Sequence, residues 1–568
     1  MNWRLKLFLS LIFLIAAIII VCLFYMQVVK YKFYQAQALG QQSNFAEVSG
    51  LRGKFFFENS KASRGNSGSG GIKSLAINKY EWQVFATPQK IKDKASLTPV
   101  LAGILDISEE SVKSKLEKSG SYVVIKKELS DTEVNAVKEL AVSGLSLEVL
   151  SSRYYPQETM LAQVTGFLGG DNTGQYGLEG YYNDILQGKD GIKEEKRGFN
   201  IISSQTSENL NGSDLYLTID YNIQLEAENL LKEAHQNIDI DSGQIIVMKP
   251  DSGRILALAN FPSFNVNEYS KENFLVFQNS AIQKLFEPGS VFKPFTMAMV
   301  LQEGKVTPSS TFIDTGSVKI GPDTVRNFDQ KVYGKRDMSG ILEKSINTGA
   351  VFIAQKLPKP TFINYLKKLG FDDKTGIDLQ GEVYSENSLL KKGSDFGFAT
   401  ASFGQGIEMT PIQLASAFCI FANDGKMVKP YIVEKIVNGG DKKKTEPKIS
   451  DQIISADTAS QVTSMLINVV EKGFGDGAKI PGYYFGGKTG TAQVAYENKK
   501  GYYPDKTIQS FIGFGPALSP EFLILVKLDN PKVPKSSLSA VPIFRKLSQY
   551  ILDYWQIPPD YDVDALAK

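Results

Sequence analysis

Histidine and cysteine are nearly missing from this chain. Its 568 residues include one histidine, His235, and two cysteines, Cys22 and Cys419. Zinc-hydrolase motifs need more than one histidine and are excluded, and a serine–histidine triad would have to rest on His235 alone. That residue ends the helical stretch Tyr221 to His235 and reads as a solvated helix residue. Cys22 lies inside an apolar run, so a disulfide to Cys419 is not expected, and the count and spacing suit no metal site. Net charge is also scarce, with 63 Lys and Arg against 61 Asp and Glu. No basic excess favours a nucleic-acid partner. The chain shows no internal repeat, and its length exceeds one compact core, so two or more folded units are expected.

Long apolar runs are scarce too, apart from one. Leu7 to Met26 carries no charge and a single aliphatic hydroxyl, Ser10. Twenty helical residues rise about 30 Å, enough to cross a bilayer core. The bulky Phe24, Tyr25, Met26 and Gln27 offer no small-residue cleavage site, and Val21 before Cys22 does not suit a lipoprotein site, so the run reads as a retained span. Arg4 and Lys6 balance Lys30 and Lys32, and the N-terminal amine tips the count toward an inside start. Residues 1–27 are then a cytoplasmic tip with its anchor, and the rest of the chain lies outside the cytoplasm.

Residues 28–211 behave as one region. Short β-type runs, Trp82 to Ala86 and Ser121 to Lys126, alternate with helical stretches, Ser108 to Lys118 and Ser130 to Val142. Asn59 to Gly71 is rich in Ser, Gly, Lys and Arg and reads as a surface loop. No catalytic constellation occurs here, which points to a spacer or interaction module.

Residues 212–557 form the second region, followed by a tail, 558–568. Gly243 to Lys249 and Arg254 to Ala259, joined by Pro250-Asp251-Ser252-Gly253, read as a β-hairpin. Phe485 to Tyr496, Gln509 to Gly515 and Glu521 to Leu528 read as three further strands, and Val541 to Trp555 as a closing helix. Strands at both ends with helices between them predict an α+β domain built on a central antiparallel sheet flanked by helices.

Three short motifs in this domain carry chemistry. Ser290-Val291-Phe292-Lys293 follows the punctuation Pro288-Gly289 and opens the apolar stretch Phe292 to Leu301, read as a buried helix. Residues three apart share a helix face, so the Lys293 amine can reach the Ser290 hydroxyl as its base, and helix N-terminal N–H groups can serve an oxyanion. This suggests acyl transfer. The spacing alone is common, since an N-capping serine and a solvated lysine produce it by chance, and Ser388-Leu389-Leu390-Lys391 repeats it without the punctuation. Ser345-Ile346-Asn347 precedes the apolar run Ala350 to Ala354 and offers a hydroxyl to relay protons and an amide to bind one. Lys488-Thr489-Gly490-Thr491 lies early on a strand, where Gly490 allows close backbone approach and the lysine and two hydroxyls suit a substrate carboxylate. The Thr491 N–H is a candidate second oxyanion donor. Lys374-Thr375-Gly376 and Ser385-Glu386-Asn387 repeat the last two motifs in turn-rich or polar surroundings, without the strand or helix start that the chemistry needs.

Taken in order, Ser-x-x-Lys, Ser-x-Asn and Lys-Thr-Gly resemble the penicillin-binding proteins, the serine acyltransferases that cross-link peptidoglycan. The resemblance extends through Arg52-Gly53, Arg153-Tyr154-Tyr155-Pro156, Gly177-Leu178-Glu179 and Leu186 to Gly191, which look like the N-terminal pedestal module of class B members. Thr218-Ile219-Asp220 with Gln224, Phe403 to Gly406 with Thr410-Pro411, and Ser510 to Phe514 are similar to further class B stretches. Ser-x-Asn and the Glu287-Pro288-Gly289-Ser290 run look more like the division type than the elongation type. After Arg52-Gly53 the chain departs from the family, with Phe55-Phe56-Phe57-Glu58-Asn59 where an Asp-Arg-Asn-Gly turn is common.

The resemblance implies a peptidoglycan D,D-transpeptidase that needs no metal or cofactor and that β-lactams acylate. In that reading Ser290 is the nucleophile and Lys293 its neutral base. Ser345 relays a proton to the leaving D-alanine, Asn347 aligns the stem peptide, and Lys488, Thr489, Gly490 and Thr491 form the wall that holds its carboxylate. It further implies a membrane glycosyltransferase partner of the shape, elongation, division and sporulation family. Three rivals share parts of the pattern. A serine β-lactamase leaves the anchor and the long N-terminal region unexplained, a β-lactam sensor needs a cytoplasmic domain for which the residues before Leu7 leave no room, and a catalytically silent division scaffold would not label with penicillin.

Overall fold

The computed structural model describes residues 43–58, 73–196, 210–496 and 501–563, with six isolated positions before residue 25. Most of the apolar run Leu7 to Met26, with Cys22, and the loop Asn59 to Gly71 lie outside the described residues. Among the described residues no helix is long and apolar enough to cross a membrane.

A small unit comprises the described parts of residues 1–53 and 187–213. Its framework is an antiparallel pair, Ser43–Ser49 with Asp190–Lys196. The ladder is closed by Gly50 N–H donating to Lys189 O and Leu51 N–H donating to Asn211 Oδ1.

The large unit, Lys54–Leu186 with Asp214–Lys568, holds the three motifs. Helix α1 (Tyr221–Ile238) leads into strands β1 (Ser242–Met248) and β2 (Ile255–Phe261). The buried helix α2 (Lys293–Gln302), helix α3 (Asn347–Ala354) and helix α4 (Ala456–Lys472) follow. The chain then adds β3 (Gly486–Ala495), β4 (Tyr502–Gly515), β5 (Phe522–Asp529) and helix α5 (Ala540–Trp555). The five strands form one antiparallel sheet in the order β2-β1-β5-β4-β3, with β3 at the edge. This matches the α+β expectation. The hairpin and late strands fall where predicted, except that β4 begins at Tyr502 rather than Gln509. Its first residues are half exposed and polar, so no apolar pattern marks them.

Helices cover both faces of the sheet. Ile245, Val247, Ile524 and Val526 pack with Leu230 of α1 and Phe544 of α5, while their neighbours Ile246, Met248, Leu523 and Leu525 pack with Phe295 of α2 and Leu466 of α4. Alternate residues point to opposite faces, so a strand buried on both sides reads as a continuous apolar run rather than an alternation. All eight residues of β5 are buried, and every residue of α2 except Gln302 is buried. Each large side chain so buried contributes about 1.5–3 kcal/mol.

Ahead of this domain, Ser74–Ala86 pairs with Val123–Leu129 and Leu145–Tyr154, and three helices between Lys94 and Glu139 cover the resulting sheet with their own core. The strand predicted at Trp82 starts at Ser74, because its first half lies in the same sheet beside Phe55–Phe56. Phe55–Phe56 runs parallel to Asp214–Leu217, which pairs with Val433–Asn438, so a seven-stranded sheet is continuous from the pedestal strands to the catalytic domain. The Arg153 and Glu179 singled out in the sequence form a buried ion pair, Nε to Oε1 at 2.7 Å, and Tyr155 OH donates to the same carboxylate oxygen at 3.2 Å.

Candidate active site

The nucleophile turn is clamped from two sides. Gly289 N–H donates to Gly404 O at 2.9 Å, and a Cβ on Gly404, which sits at φ +80°, would lie 2.2 Å from Gly289 O. On the other side the edge strand β3 presses against the turn. A Cβ on Gly490 would lie 2.5 Å from Ser510 Oγ and 2.9 Å from Val291 Cγ1, so only glycine permits the approach. Gly289–Phe292 forms one 3-10 turn, and α2 begins at Lys293. Ser290 therefore stands at the entrance of a buried helix with Lys293 one turn on.

The second motif is the junction of two helices. The helix Met338–Glu343 ends with Ser345 N–H donating to Leu342 O and Ile346 N–H donating to Ile341 O, with Ser345 at φ +52°. This is a Schellman closure with serine at the left-handed position where glycine is usual, and it costs about 1 kcal/mol of backbone strain. The arrangement turns the Ser345 hydroxyl into the site, and Asn347 opens α3 immediately after it.

Three motifs converge on two buried amines. Lys293 Nζ lies within hydrogen-bond distance of Ser290 Oγ at 3.0 Å, Ser345 Oγ at 3.2 Å, Asn347 Oδ1 at 2.8 Å and the Ser345 carbonyl. Lys488 Nζ donates to the same Ser345 Oγ at 3.0 Å, to Thr489 O at 3.1 Å and to Thr489 Oγ1 at 3.3 Å. Both lysines are 0 % exposed. Burial, and next the charge of Lys488, push the Lys293 amine well below the ordinary lysine value, against a weaker upward pull from Asp329. Burial brings Lys488 down to about 7. A neutral amine beside a serine hydroxyl is the arrangement that general-base activation requires.

Two cavities meet at Ser290. One, of about 230 Å³, is lined by Ser290, Ser345, Thr489 and Thr491 together with Phe328 and Lys535. The other, of about 260 Å³, is lined by Ser290, Thr491, Asn347, Arg326, Gln405 and Gln493. The structure thus gathers Ser290, Lys293, Ser345, Asn347, Lys488, Thr489, Gly490 and Thr491 at one cleft. Thr489 and Thr491 share the β3 face toward the cleft, and Gly490 faces the nucleophile turn, as the alternation predicts. Phe328 and Lys535 lie in loops distant in sequence from the motifs and Arg326 ends the strand Asp323–Arg326, so no motif marks them; Gln493 lies on β3 two residues beyond Thr491, where the strand alternation could have found it.

The look-alike motifs lie elsewhere. Thr375 donates to Glu382 through its N–H and its hydroxyl, and Asn387 donates to Phe371 O. The Ser385-Glu386-Asn387 stretch does precede a one-turn helix, Ser388–Lys391, which sequence reading did not anticipate. His235 is exposed and its Nδ1 lies 3.1 Å from Ile240 O, at its own helix end.

Comparison with known proteins follows this geometry. Residues 243–549 match the penicillin-binding protein transpeptidase domain, and residues 59–217 the penicillin-binding protein dimerisation domain. The chain is 34% identical over 475 residues to stage V sporulation protein D of Bacillus subtilis, covering 81% of this chain and 73% of that one. It is 30% identical over 519 residues to the probable peptidoglycan D,D-transpeptidase PenA of Neisseria meningitidis, covering 89% and 87%. Among solved structures, penicillin-binding protein 3 of Mycobacterium tuberculosis complexed with aztreonam shares the fold, with TM-score 0.68 and 23% identity over 91% of this chain and 99% of that one. Penicillin-binding protein 2X of Streptococcus thermophilus does so with TM-score 0.73 and 20% identity, over 91% and 81%.

Proposed function

The chain belongs to the penicillin-binding protein transpeptidases as a class B peptidoglycan D,D-transpeptidase that binds β-lactams, and from that premise we propose how its residues divide the reaction. The observation that carries the assignment is the Ser345 hydroxyl held between two buried amines, one of which also reaches Ser290. Neutral Lys293 takes the Ser290 proton as Oγ attacks the carbonyl of the penultimate D-alanine of a stem peptide. The Ser290 and Thr491 N–H groups hold the oxyanion; β3 is an edge strand, so its alternate N–H groups are not used by the sheet. As the intermediate collapses, the C–N bond breaks and the proton passes from Lys293 through Ser345 to the leaving D-alanine. Asn347 aligns the peptide, and Lys488, Thr489 and Thr491 bind its terminal carboxylate, with Gly490 keeping β3 close. An amine from a second stem peptide then displaces Ser290.

Labelling with a fluorescent penicillin tests the assignment. The wild-type protein labels and Ser290→Ala does not; a Ser290→Ala variant that still labels overturns it.

The residue division is 1–27 for the tip and anchor, 28–211 for the pedestal, 212–557 for the transpeptidase domain and 558–568 for the tail. Leu7 to Met26 spans the plasma membrane once, with the N-terminus inside and the catalytic domain outside, where its substrate lies. A membrane glycosyltransferase supplies the glycan strands that this chain cross-links. Glu287-Pro288-Gly289-Ser290 and Ser345-Ile346-Asn347 favour a role at the division septum. The likeness to a sporulation protein supports a second reading, wall synthesis in a developmental stage. Microscopy of a fluorescent fusion separates them: midcell placement in growing cells supports the first, expression confined to sporulating cells the second, and lateral placement an elongation role.

A further inference from the structure

Transpeptidation brings two peptides to one serine, yet the residues assigned so far act on the donor. The cavity of about 260 Å³ shares Ser290, Asn347 and Thr491 with that assignment, but its Arg326, Gln405 and Gln493 have no role in it. Its functional groups are a guanidinium and three primary amides, those of Arg326, Asn347, Gln405 and Gln493. Arg326 is exposed and makes no ion pair among the described residues.

Each of these groups stands on a fixed backbone. Arg326 O accepts from Asn347 Nδ2 at 3.0 Å. The next residue, Asn327, donates from Nδ2 to Asp314 Oδ2 at 2.9 Å, while its Oδ1 accepts from Thr348 N–H at 3.2 Å. Asp314 is 1 % exposed and also accepts from the N–H groups of Tyr333 at 2.7 Å and Gly316 at 2.9 Å. Gln405 N–H donates to Thr400 O at 3.1 Å, and Gly406 N–H to Glu287 Oε1 at 3.0 Å. Gln493, on β3, pairs with Thr507 of β4.

The strand β3 links the two cavities. Thr489 lines the first, Thr491 both and Gln493 the second. Residues two apart on a strand share a face about 7 Å apart, so these three mark one path past Ser290. An Arg fork flanked by amides is the donor set that carboxylates select.

We propose that this second cavity receives the acceptor, and that it selects an amine whose neighbouring carbon bears a carboxylate, which Arg326 binds. This rests on the transpeptidase reading and extends it to the acceptor. An unbranched side-chain amine has no such group, and a carboxamide in its place would be a poor acceptor.

The purified full chain, given a thioester analogue of the donor, tests this with two acceptors, D-alanine and D-alaninamide. The measured quantity is the ratio of aminolysis to hydrolysis of the acyl-enzyme. Wild type uses D-alanine about tenfold better, the worth of one charge-assisted contact. Arg326→Ala loses that preference, with the loss falling on aminolysis rather than on acylation, and Arg326→Lys recovers part of it. Equal use of both acceptors by wild type, or an unchanged preference in Arg326→Ala, overturns the proposal. So does a loss of penicillin acylation in Arg326→Ala at an unchanged melting temperature, because Arg326 would then serve the donor. A wild type that never forms an acyl-enzyme is a different result and refutes the transpeptidase reading itself.

Discussion

Two regions of the catalytic domain bury lysines completely and use them in opposite ways. In the cleft, Lys293 and Lys488 have only neutral oxygens within hydrogen-bond distance, and the Lys488 charge adds to the burial of Lys293. In the centre of the sheet, Lys527 is 1 % exposed and donates to Gln244 Oε1 at 3.0 Å and to the Asp529 carboxylate at 2.7 Å. Burial lowers all three amines, but at Lys527 the charge and hydrogen bond of Asp529 oppose it. Burial raises Asp529 in turn, and Lys527 and its other partners outweigh that and hold it low. A buried amine with a carboxylate is a structural ion pair; without one it becomes a base.

The sharpest way to break the contrast is to remove the amine from the cleft. Lys293→Ala should slow penicillin acylation by about 10³–10⁴-fold, measured by stopped-flow, while changing the melting temperature little, since the fold gains nothing from a buried amine without a counter-charge.

The same deletion at the other region should act on stability. Lys527→Met leaves Asp529 buried without its cation and should cost about 3–5 kcal/mol in denaturant unfolding. Adding Asp529→Asn should restore most of it, and an additive double mutant would show that the two do not act as a pair.

A third test uses pH. The folded pKa of Lys488 lies below the ordinary 10.5, so the stability it contributes is present above pH 10.5 and is lost as pH falls through about 7. Lys293, the base, is held well below the ordinary lysine value by burial and by the Lys488 charge, so acylation should fall as acidification protonates the amine pair, with an apparent pKa belonging to the pair. A rate that never falls as the solution is acidified, down to the onset of acid unfolding, would show that the base is not a buried amine.

The smallest effect is at the junction that holds the relay serine. Ser345→Gly removes a non-glycine residue from φ +52° and should raise stability by about 1 kcal/mol while lowering acylation. A variant that is both more stable and fully active would separate the strain from the chemistry.

The sequence made the motifs legible because each lies in a local setting that a short window reveals. Pro288-Gly289 announces the helix of Ser290, and Gly486-Gly487 stand just ahead of Lys488 at the start of β3. The strands were readable for the same reason, since burial on both faces leaves a continuous apolar run. What stayed hidden depends on distance in the chain. The left-handed Ser345 follows from where the preceding helix stops, a matter of hydrogen bonds to Ile341 and Leu342 rather than of residue type. Arg326 and Phe328 reach the cleft because Asp314, buried and remote in sequence, fixes the segment that carries them. The early start of β4 at Tyr502 is set by pairing with Ala495, with no apolar face to show it.

The two-residue strand Phe55–Phe56 has a mechanical consequence. It is laddered to a pedestal strand on one side and to Asp214–Leu217 on the other, so the joint between pedestal and catalytic domain is a piece of sheet rather than a pivot. A hinge transmits rotation and absorbs force. A strand bonded along both edges transmits load in shear, and its register breaks only when several hydrogen bonds yield together. Tension on the pedestal is therefore delivered to the catalytic domain as sliding between strands, toward Val433–Asn438.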